Sequence, residues 1–573
     1  MIQYICKKCN VTMETERCTY CGQKTISSLA IYWCYECNIP IYTDTCPCCK
    51  NKGKYVSTDL RPVFPKEKLL LAIILSKENP FSFDNSSVWC SNNFYIVDGD
   101  KLVISISKIN SLPLDKIKKI KESYDKYVND IDVTYFNEMR AKFVSANSIR
   151  FNEINEEAVR YIRSYSDTYA IKDMFVSFSG GKDSTVTSHL VTKALGTNNV
   201  LHIFGDTTLE FDKTYEYKNR FRTNEVSKGI PIISAINREK NFQELCKVIG
   251  PPSRVMRWCC TVFKTGAITR TISAAFKNKT NILTFYGIRK SESVSRSKYE
   301  RESESPKIAK QTVVSPIIDW LDYDVWLYIL TEKIDFNEAY ELGYSRVGCW
   351  CCPNNGIWSE FLSKVHMYEQ YKNWRNLLVE FAKHIGKPDP EEYIDSGNWK
   401  ARQGGNGLEL ANKSIITFKQ CATEDNSFNY ELQKPITEEL YELFKPFGYI
   451  NKDLGNKRLG EVYIIDKKGN VALVIQGRIG TTKLKVTIKK INIARARSMK
   501  VAEGKIQCQL TKYQMCMGCR ACEGVCKYNA ISVKESSDGE TEYKIDNDKC
   551  IRCGECVGHY KAGCHMRKVL AIK

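Results

Sequence analysis

A glycine-cornered hexapeptide, 179–184 (SGGKDS), has the residue types of an anion-binding turn. The apolar run 174–178 before it predicts a buried strand, and apolar residues at helical spacing over 186–195 predict a helix after it. At such a corner the backbone N–H groups and the helix N-terminus converge on a phosphate. The spacing is not that of the GxxxxGK[ST] loop, so we expect a phosphate-binding turn of another kind. The alternative is a glycine-rich turn that binds nothing.

Cysteine supplies a second kind of chemistry. The chain has 26 cysteines, and all but four fall into closely spaced groups: nine before residue 50, five between 259 and 352, and eight after 515. The exceptions are Cys90, Cys246, Cys421 and Cys508. Because the N-terminal segment has no hydrophobic signal region, we expect a reduced, cytoplasmic protein whose cysteines bind metals instead of forming disulfides.

The first group is an internal duplication with a shift of 28 residues. Each copy has two CxxC pairs, the arrangement that lets four thiolates surround one tetrahedral ion. We therefore predict two zinc ribbons, with a rubredoxin-like iron site as the alternative. The ligands would be Cys6, Cys9, Cys18 and Cys21 in one ribbon, and Cys34, Cys37, Cys46 and Cys49 in the other.

The last group contains two runs similar to the C-x2-C-x2-C-x3-C run of bacterial ferredoxins, the second stretched before its final cysteine. In such ferredoxins the fourth cysteine of each run ligates the other [4Fe-4S] cluster. We expect one cluster on Cys516, Cys519, Cys522 and Cys564, and another on Cys550, Cys553, Cys556 and Cys526.

The central region resembles a known enzyme family. SGGKDS is similar to the pyrophosphate-binding loop of the PP-loop ATP pyrophosphatases, and three later segments resemble the phosphoadenosine phosphosulfate (PAPS) reductases of that superfamily. These segments are DTTLEF (206–211), GIRKSESVSR (287–296) and SPIIDWLDYDVWLYI (315–329). Thr208 and a missing proline depart from the family pattern in the first of them.

The resemblance also implies a third cluster. Adjacent cysteines followed later by CxxC are the [4Fe-4S] ligand pattern of the adenylylsulfate (APS) reductases, here matched by Cys259, Cys260, Cys349 and Cys352. Cys351 has no counterpart in that pattern. It is either a sulfur-carrying thiol beside the cluster or a buried residue without a chemical role.

Roles in nucleotide binding follow from charge and position. Ser179, Gly180, Gly181, Lys182 and Ser184 would hold phosphate oxygens of ATP, APS or PAPS, and Arg289 and Arg296 would neutralise the anion beyond them. Asp183 or Asp206 would bind Mg²⁺. We count Lys182, Asp183, Arg289 and Cys351 as catalytic candidates. For Arg296, an ordinary place in a solvated charged loop is an equal alternative.

The elements that position these residues define a multidomain α/β protein. A chain of 573 residues holds several domains. Alternating strands and helices after residue 171 predict a parallel sheet with function at the strands' carboxyl ends. The predicted domains, in chain order, are zinc ribbons (1–52), a small α+β module (66–113), a helical connector (114–170), a PP-loop domain (171–405), a basic α+β domain (411–500) and a bacterial-ferredoxin-like domain (505–573). The small module is weakly similar to PUA and contains a predicted hairpin at 93–107. The PP-loop domain is of the adenine nucleotide alpha hydrolase-like class.

Charge and hydropathy limit the partners. The net charge is +19, and residues 478–500 carry eight Lys and Arg and no acidic residue. This tract is either a phosphate-backbone track for tRNA or DNA or a solvated edge strand protected by lysines. No apolar run reaches the roughly 18 residues of a membrane helix, so we expect no membrane partner.

Two enzymatic hypotheses remain, with a non-catalytic electron-transfer or nucleic-acid-binding scaffold as a disfavoured third. One is ATP-dependent, adenylating sulfur transfer, with sulfur from a donor such as a cysteine desulfurase and electrons from the ferredoxin domain. The other is APS or PAPS reduction to sulfite. The intact SGGKDS loop favours the first, and the absence of a late ECGLH-like motif weighs against the second.

Overall fold

A computed structural model describes residues 3–570 apart from short gaps at 7, 10, 14, 16, 24, 92–93, 278, 280, 305–310, 406–407, 413–415, 536–540 and 561–562. The chain divides into two compact units. The first comprises residues 1–234, 278–306 and 310–374, and the second comprises 235–277, 307–309 and 375–573. Among the described residues, none of the helices has the length and apolar composition that a bilayer crossing requires.

The N-terminal duplication folds as two small antiparallel sheets, each of three strands. Their orders are β2-β1-β3 and β5-β4-β6. The strands are β1 (Gln3–Cys6), β2 (Val11–Met13), β3 (Ile26–Ser28), β4 (Ile31–Cys34), β5 (Ile39–Ile41) and β6 (Lys54–Ser57).

The small module contains the predicted hairpin in a shorter form. Its second strand ends at Leu102, residues 106–107 belong to a helix, and residue 93 lies outside the described residues. Its sheet has the order β10-β9-β8-β7, and the turn between β9 and β10 has positive φ at Asp98 and Gly99, as a two-residue DG turn requires. The elements are β7 (Arg61–Pro62), α1 (Pro65–Ile74), β8 (Val88–Ser91), β9 (Phe94–Val97), β10 (Asp100–Leu102) and α2 (Ile106–Asn110). The predicted helical connector is α3 (Leu114–Tyr127), α4 (Thr134–Ala146) and α5 (Ser148–Arg163).

The predicted parallel sheet is present. Its order is β13-β12-β11-β14-β16-β15, with parallel pairing of β11 to β12 and β14 and an antiparallel edge strand β15. The strands are β11 (Met174–Phe178), β12 (Leu201–Asp206), β13 (Ile232–Ile236), β14 (Ile282–Tyr286), β15 (Glu302–Glu304) and β16 (Gln311–Val314). The helices are α6 (Lys182–Leu195), α7 (Asp212–Thr223), α8 (Phe242–Ile249), α9 (Gly266–Ala275) and α10 (Asp322–Glu332).

The centre of this sheet is apolar because β11 and β14 are covered on both faces. Val176 and Phe285 have no exposed surface and join Val186 of α6 and Trp326 of α10 in one core. A rigid strand and a rigid helix therefore hold the two ends of the SGGKDS turn.

The rest of the chain combines helices with an antiparallel sheet. The helices are α11 (Ile357–His366), α12 (Tyr368–His384), α13 (Pro390–Asp395) and α14 (Glu409–Asn412). The sheet, of order β17-β18-β22-β21-β20-β19, contains β17 (Thr417–Gln420), β18 (Ser427–Glu431), β19 (Tyr449–Asn451), β20 (Glu461–Ile465), β21 (Val471–Gln476) and β22 (Lys483–Ile488), with α15 (Glu438–Phe444) between β18 and β19 along the chain.

The ferredoxin segment shares its core with this sheet. Ile475 of β21, Leu510 and Val533 belong to one buried cluster, so the segment packs as part of a larger body. Its elements are α16 (Met499–Met515), β23 (Ile531–Glu535), β24 (Thr541–Ile545), α17 (Glu555–Gly558) and α18 (His565–Leu570).

Candidate nucleotide site and metal centres

The SGGKDS turn connects β11 to α6 at the carboxyl edge of the parallel sheet. Gly180 has φ of +71°, a conformation in which a side chain would be strained. Gly287, just after β14, lies so close that a Cβ there would be 2.6 Å from the carbonyl of Asp183. The residue after β14 thus meets the first turn of α6 at backbone contact distance, and only glycine fits at this point.

Hydroxyl groups fix the turn from inside. The Ser184 Oγ accepts from the Ser179 N–H at 3.1 Å and donates to the Gly181 carbonyl at 2.8 Å. The Lys182 N–H donates to the Tyr340 hydroxyl at 2.9 Å. A phosphate oxygen at this N–H would therefore take the place of the Tyr340 hydroxyl.

Two buried cations and two carboxylates form the charged centre, which we call the cradle: Lys182, Arg289, Asp183 and Asp322. The exposed fractions of Lys182 and Arg289 are only 3% and 4%. Lys182 Nζ lies 3.1 Å from Asp322 Oδ1 and donates to the Ser345 carbonyl at 3.2 Å. Arg289 donates through Nε to Asp183 and through its Nη2 to Asp322 at 2.7 Å.

These pairings favour the charged forms of Asp183, Lys182 and Arg289. Burial alone would raise the pKa of Asp183, but Arg289 and Lys182 lower it to about 2. Burial alone would lower the pKa of Lys182, but Asp183 and Asp322 raise it above its usual range. The pKa of Arg289 is raised for the same reason.

Asp59, in the segment that precedes the small module, lies beside the cradle residue Asp322. Its carboxylate oxygens accept the backbone N–H groups of Asp322 at 3.2 Å and Tyr323 at 3.0 Å, at the N-terminus of α10. Burial, reinforced by Asp322 and opposed by Arg289, raises the pKa of Asp59 to about 7.

The other two predicted nucleotide residues have different surroundings. Arg296 forms an ion pair with Glu292, and burial together with nearby Arg346 lowers its pKa. Asp206 accepts from the Thr208 N–H and from the Tyr215 hydroxyl, each at 3.0 Å. Of the two predicted Mg²⁺ ligands, Asp183 is the one that lies in the cradle.

One of the central cysteine pairs, Cys349 and Cys352, contacts the segment that follows β12 through Cys349. Cys349 forms an isolated bridge with Glu210, and its Sγ lies 3.3 Å from the Thr207 Oγ1. Cys352 donates its N–H to the Cys349 carbonyl at 3.2 Å, and the side chain of Cys351 is buried.

The other central pair belongs to the second unit. Cys259 immediately precedes a π-helix, Cys260–Thr265, that leads into α9. Cys349 and Cys352 belong to the first unit, so the two cysteine pairs lie in different compact units. The four-thiol cluster stays a prediction.

The ribbon cysteines are arranged to hold metal. In each predicted set of four, the sulfur atoms all lie within 4.8 Å of one another. Four thiolates at this spacing fit one tetrahedral ion, and zinc is the ion that such closed sites most often take.

The ferredoxin cysteines gather around one buried lysine. Lys512 of α16 is only 1% exposed, and its Nζ donates to the Cys556 carbonyl at 2.8 Å. Burial would lower its pKa, but the thiols of Cys522, Cys556, Cys564 and Cys516 raise it. Burial raises the pKa of Cys564 to about 11, with Cys522 adding to the shift, so Cys564 lies near the first run, as the predicted exchange of fourth ligands requires.

Acidic side chains neutralise much of the basic tract. Lys485 pairs with Glu424 at 2.6 Å, and Lys490 with Asp466 at 2.6 Å. These ion pairs weigh against a continuous nucleic-acid track. The alternative of a lysine-protected edge strand is wrong, because β22 pairs with β18 on one side and with β21 on the other and so lies inside the sheet.

Sequence reasoning missed Asp59, Asp322, Tyr340 and Ser345. The family-like segment 315–329 singles out the aspartate of DVW, yet Asp324 is structural, since it accepts from Arg150 at 2.9 and 3.0 Å. A second acidic residue two positions earlier, at the predicted start of a helix, was the available signal for Asp322.

The comparisons with known proteins agree with these features. Residues 173–355 match the phosphoadenosine phosphosulfate reductase domain, and residues 515–559 match the 4Fe-4S dicluster domain. An uncharacterized protein of Methanocaldococcus jannaschii is 35% identical over 259 residues, which are 45% of this chain and 51% of that protein. The chain thus spans about half the length of this relative.

Two further matches concern sulfonucleotide reductases. An adenosine 5'-phosphosulfate reductase of Shouchella clausii is 23% identical over 35% of this chain and 78% of its own length. The crystal structure of a PAPS reductase from Candida auris, a phosphate complex, matches with 18% identity and a TM-score of 0.28 over 35% of this chain and 95% of that one. The chain carries a PAPS reductase domain followed by a 4Fe-4S dicluster domain.

Proposed function

We propose that the protein uses ATP to adenylate an oxygen of an acceptor molecule, a nucleic acid such as tRNA or DNA being one candidate, and then replaces that oxygen with sulfur. The observation that carries this proposal is the cradle, with Lys182 and Arg289 buried beside an intact SGGKDS turn. Two cations held in place beside this turn are suited to bind a polyphosphate, because negative charge shifts between its phosphates during the reaction.

The charge balance of the cradle favours a nucleotide that arrives with Mg²⁺. Asp183 and Asp322 already neutralise Lys182 and Arg289, so a polyphosphate would bring more negative charge than the site can offset alone. A divalent cation shared between Asp183 and phosphate oxygens would supply the balance.

The reaction then divides into two substitutions. First, the acceptor oxygen forms a bond to the α-phosphorus of ATP, the bond to pyrophosphate breaks, and the acceptor loses a proton. Second, sulfur attacks the acceptor carbon and AMP leaves, which is a far better leaving group than hydroxide. A donor such as a cysteine desulfurase would present the sulfur as a persulfide, whose outer sulfur forms the new bond to carbon. Two electrons, which iron–sulfur groups bound to the chain would supply, and a proton would then break the S–S bond and release the donor's thiol.

In this scheme the chain's own residues mainly bind and orient. The turn and Lys182 would hold the leaving pyrophosphate, and Arg289 would stabilise charge on the α-phosphate. Tyr340 would give up the Lys182 N–H to the phosphate and remain beside it.

Sulfonucleotide reduction is the second candidate, favoured by the similarity to APS reductases. In that reaction a thiol attacks the sulfur of APS or PAPS and two electrons release sulfite. Between Cys352 and Cys508 the sequence offers only Cys421 for such an attack, without the expected surrounding motif.

One assay separates the two candidates. The reduced, anaerobic holoenzyme is incubated with ATP, total cellular RNA as a mixed acceptor and a cysteine desulfurase with cysteine as the sulfur donor, and separately with APS or PAPS alone. AMP, pyrophosphate and sulfite are measured, with Lys182→Ala as the control. The proposal predicts AMP and pyrophosphate from ATP and no sulfite from APS or PAPS in the absence of ATP. Sulfite formed from either sulfonucleotide without ATP would support reduction instead.

A further inference from the structure

The ferredoxin segment has two predicted sets of cysteine ligands, and α9 of the second unit lies against the run that supplies most of the first set, 516–526. A Cβ on Gly524 would lie 3.5 Å from the Cα of Gly266, at the start of α9. The Glu523 carboxylate lies 3.5 Å from the Arg270 guanidinium. On this side the first run is therefore covered by the chain itself.

The second set is the one on Cys550, Cys553, Cys556 and Cys526. Burial raises the pKa of Cys556 to about 12, and the nearby thiols of Cys522, Cys526 and Cys550 add to the shift, whereas Lys512 opposes it. Cys526 thus lies near two thiols of the later run, as a cluster with exchanged fourth ligands requires. The thiols fit the cluster that the sequence predicts for them.

The end of the basic tract packs on this second set. A Cβ on Gly554, within the CGEC stretch 553–556, would lie 2.7 Å from the Ala494 Cβ, and Arg495 forms an ion pair of 3.2 Å with Glu555. Ala494 and Arg495 have φ of +43° and +63°. Such values are uncommon outside glycine and persist where packing holds them, so this bend is fixed against the cysteines.

Positive charge dominates the surface around the second set. Six Lys or Arg and three Asp or Glu occur in the segments next to its cysteines, which are 495–500, 526–529 and 546–556. The Arg495 side chain is 69% exposed despite its ion pair. Arg497 and Lys500 are exposed, and neither forms an ion pair within the described part of the chain. This part of the tract therefore presents uncompensated positive charge to solvent.

Exposed apolar side chains lie beside the same cysteines. Ile551 directly follows Cys550 and is 54% exposed, and Tyr528, two residues after Cys526, is about half exposed. Apolar side chains together with charged neighbours have the composition of a transient protein–protein interface.

We propose that an acidic one-electron carrier protein docks on this face and delivers electrons to the second set. We call it the entry face, and it consists of Arg495, Arg497, Lys500, Tyr528 and Ile551. The carrier would be oxidised by one electron and the iron–sulfur group on the second set reduced by one, with no bond made or broken and no proton moved. Two such encounters would supply the two electrons of the proposed sulfur transfer.

Nucleic acid is the other polyanion that a basic face attracts, and the carboxylates on this face disfavour it. Glu555 lies between two cysteines of the second set, and Asp548 is exposed two residues before Cys550. A phosphate backbone carries negative charge along its whole length and would meet these carboxylates. A folded acidic protein can direct its own carboxylates at the cations and uncharged side chains at Glu555 and Asp548.

The first test measures docking with flavodoxin as an acidic carrier and cytochrome c as a basic one. Binding of each oxidised protein to the anaerobic holoenzyme is measured by calorimetry at low and high salt. We expect flavodoxin to bind at low salt and to lose affinity by about tenfold or more at high salt, and cytochrome c not to bind. Flavodoxin binding that salt does not weaken, or tighter binding of cytochrome c, would contradict the proposal.

Charge reversal locates the docking face. The double variant Arg497→Glu/Lys500→Glu should weaken flavodoxin binding by about tenfold or more and should slow cluster reduction by reduced flavodoxin, followed by stopped-flow absorbance. The control with the same charge change is Lys116→Glu/Lys119→Glu, at exposed positions of α3, and should behave as wild type. Photoreduction by deazariboflavin, a small uncharged reductant, should be equal in all three proteins, because their clusters are intact.

Three other results would overturn the proposal. Equal loss of flavodoxin binding in both double variants would mean that net charge alone attracts the carrier. Binding of total cellular RNA that is lost only in Arg497→Glu/Lys500→Glu would assign the face to nucleic acid. A shifted cluster potential with unchanged flavodoxin binding would mean that these cations only offset the charge of the cluster.

The docking proposal requires the ferredoxin clusters but goes beyond the proposed function, because it does not depend on which reaction the cradle performs. Lys182→Ala should bind flavodoxin and accept its electrons as wild type does. If flavodoxin docks as described but ATP is never cleaved, the entry face stands and the adenylation reaction is wrong.

Discussion

Lys182 and Lys512 are both almost fully buried lysines, yet their countercharges differ. Carboxylates hold Lys182, and in the proposed reaction phosphate oxygens of the nucleotide would replace them. Thiols of the ferredoxin segment surround Lys512, and they would carry negative charge when they bind metal. We therefore propose that Lys182 serves a substrate and that Lys512 serves the groups that the cysteines would hold.

Replacement of Lys182 tests the cradle. We expect Lys182→Ala to reduce ATP turnover by about 100-fold or more, since losing one preorganised donor at a developing charge costs about that much. Iron content should not change. The control is Lys193→Ala on the same helix, whose Nζ pairs with Glu332 and Asn155 and makes no ion pair with the cradle. Equal turnover in the Lys182 variant and the control would reject the site.

Replacement of Lys512 tests its effect on reduction. A unit charge about 10 Å away contributes about 1.7 kcal/mol at an effective dielectric constant near 20. Since a tenfold shift corresponds to about 59 mV for one electron, we expect Lys512→Met to lower the midpoint potentials of the ferredoxin clusters by about 70 mV. EPR-monitored redox titration measures this change.

The matched control is Lys500→Met, at the exposed start of the same helix, which should leave the potentials within experimental error. Equal shifts in both variants would show that general surface charge, and not the buried ammonium group, sets the potential.

At the scale of elements, the strand, the turn and the helix of the nucleotide site could be predicted from sequence. The apolar run 174–178 and the glycine pair leave little choice. β11 spans the predicted strand, and α6 ends at Leu195 as the pattern indicates, although it begins at Lys182, earlier than the predicted 186. Asp59 and Tyr340 could not be predicted, because they reach the cradle from segments more than 100 residues away in the chain. Their roles depend on packing between elements, which local periodicity does not encode.

The close approach of Gly287, after β14, to the first turn of α6 gives an element-scale prediction. Gly287→Ala would place a methyl group 2.6 Å from the Asp183 backbone and should push the turn away from β14. We expect nucleotide affinity to fall by at least tenfold, measured by calorimetry. Gly504→Ala, which lies in α16 with open space around it, is the control and should leave affinity unchanged or slightly stabilise the protein. Normal affinity in the Gly287 variant would mean that the turn tolerates displacement.

At the scale of the whole molecule, the sequence predicts well which cysteines form metal-binding groups. It predicts less well which of these cysteines share one metal ion or cluster. The spacing of Cys34, Cys37, Cys46 and Cys49 suffices to predict that their thiols converge, and they do. A cluster on the central cysteines is harder to predict, because its expected ligands come from two stretches of sequence that belong to different compact units.

Metal analysis of cysteine variants tests that inventory. If three four-iron clusters are present, about twelve iron atoms are expected per chain, and Cys259→Ser should remove about four of them without affecting zinc. Cys421→Ser, which changes a partly exposed cysteine outside every motif, is the control. Full iron content in the Cys259 variant would show that the central cysteines hold no cluster.

The claim on which the rest depends is that the cradle directs cleavage of ATP between its α- and β-phosphates. The most direct measurement follows ATP labelled separately at the α- and γ-phosphates through incubation with the reduced, anaerobic holoenzyme, total cellular RNA as a mixed acceptor, and a cysteine desulfurase with cysteine as the sulfur donor. We predict labelled AMP and labelled pyrophosphate in equal amounts, and neither product in Lys182→Ala. Formation of ADP and phosphate, or no cleavage of ATP by an enzyme that releases sulfite from APS, would contradict the account.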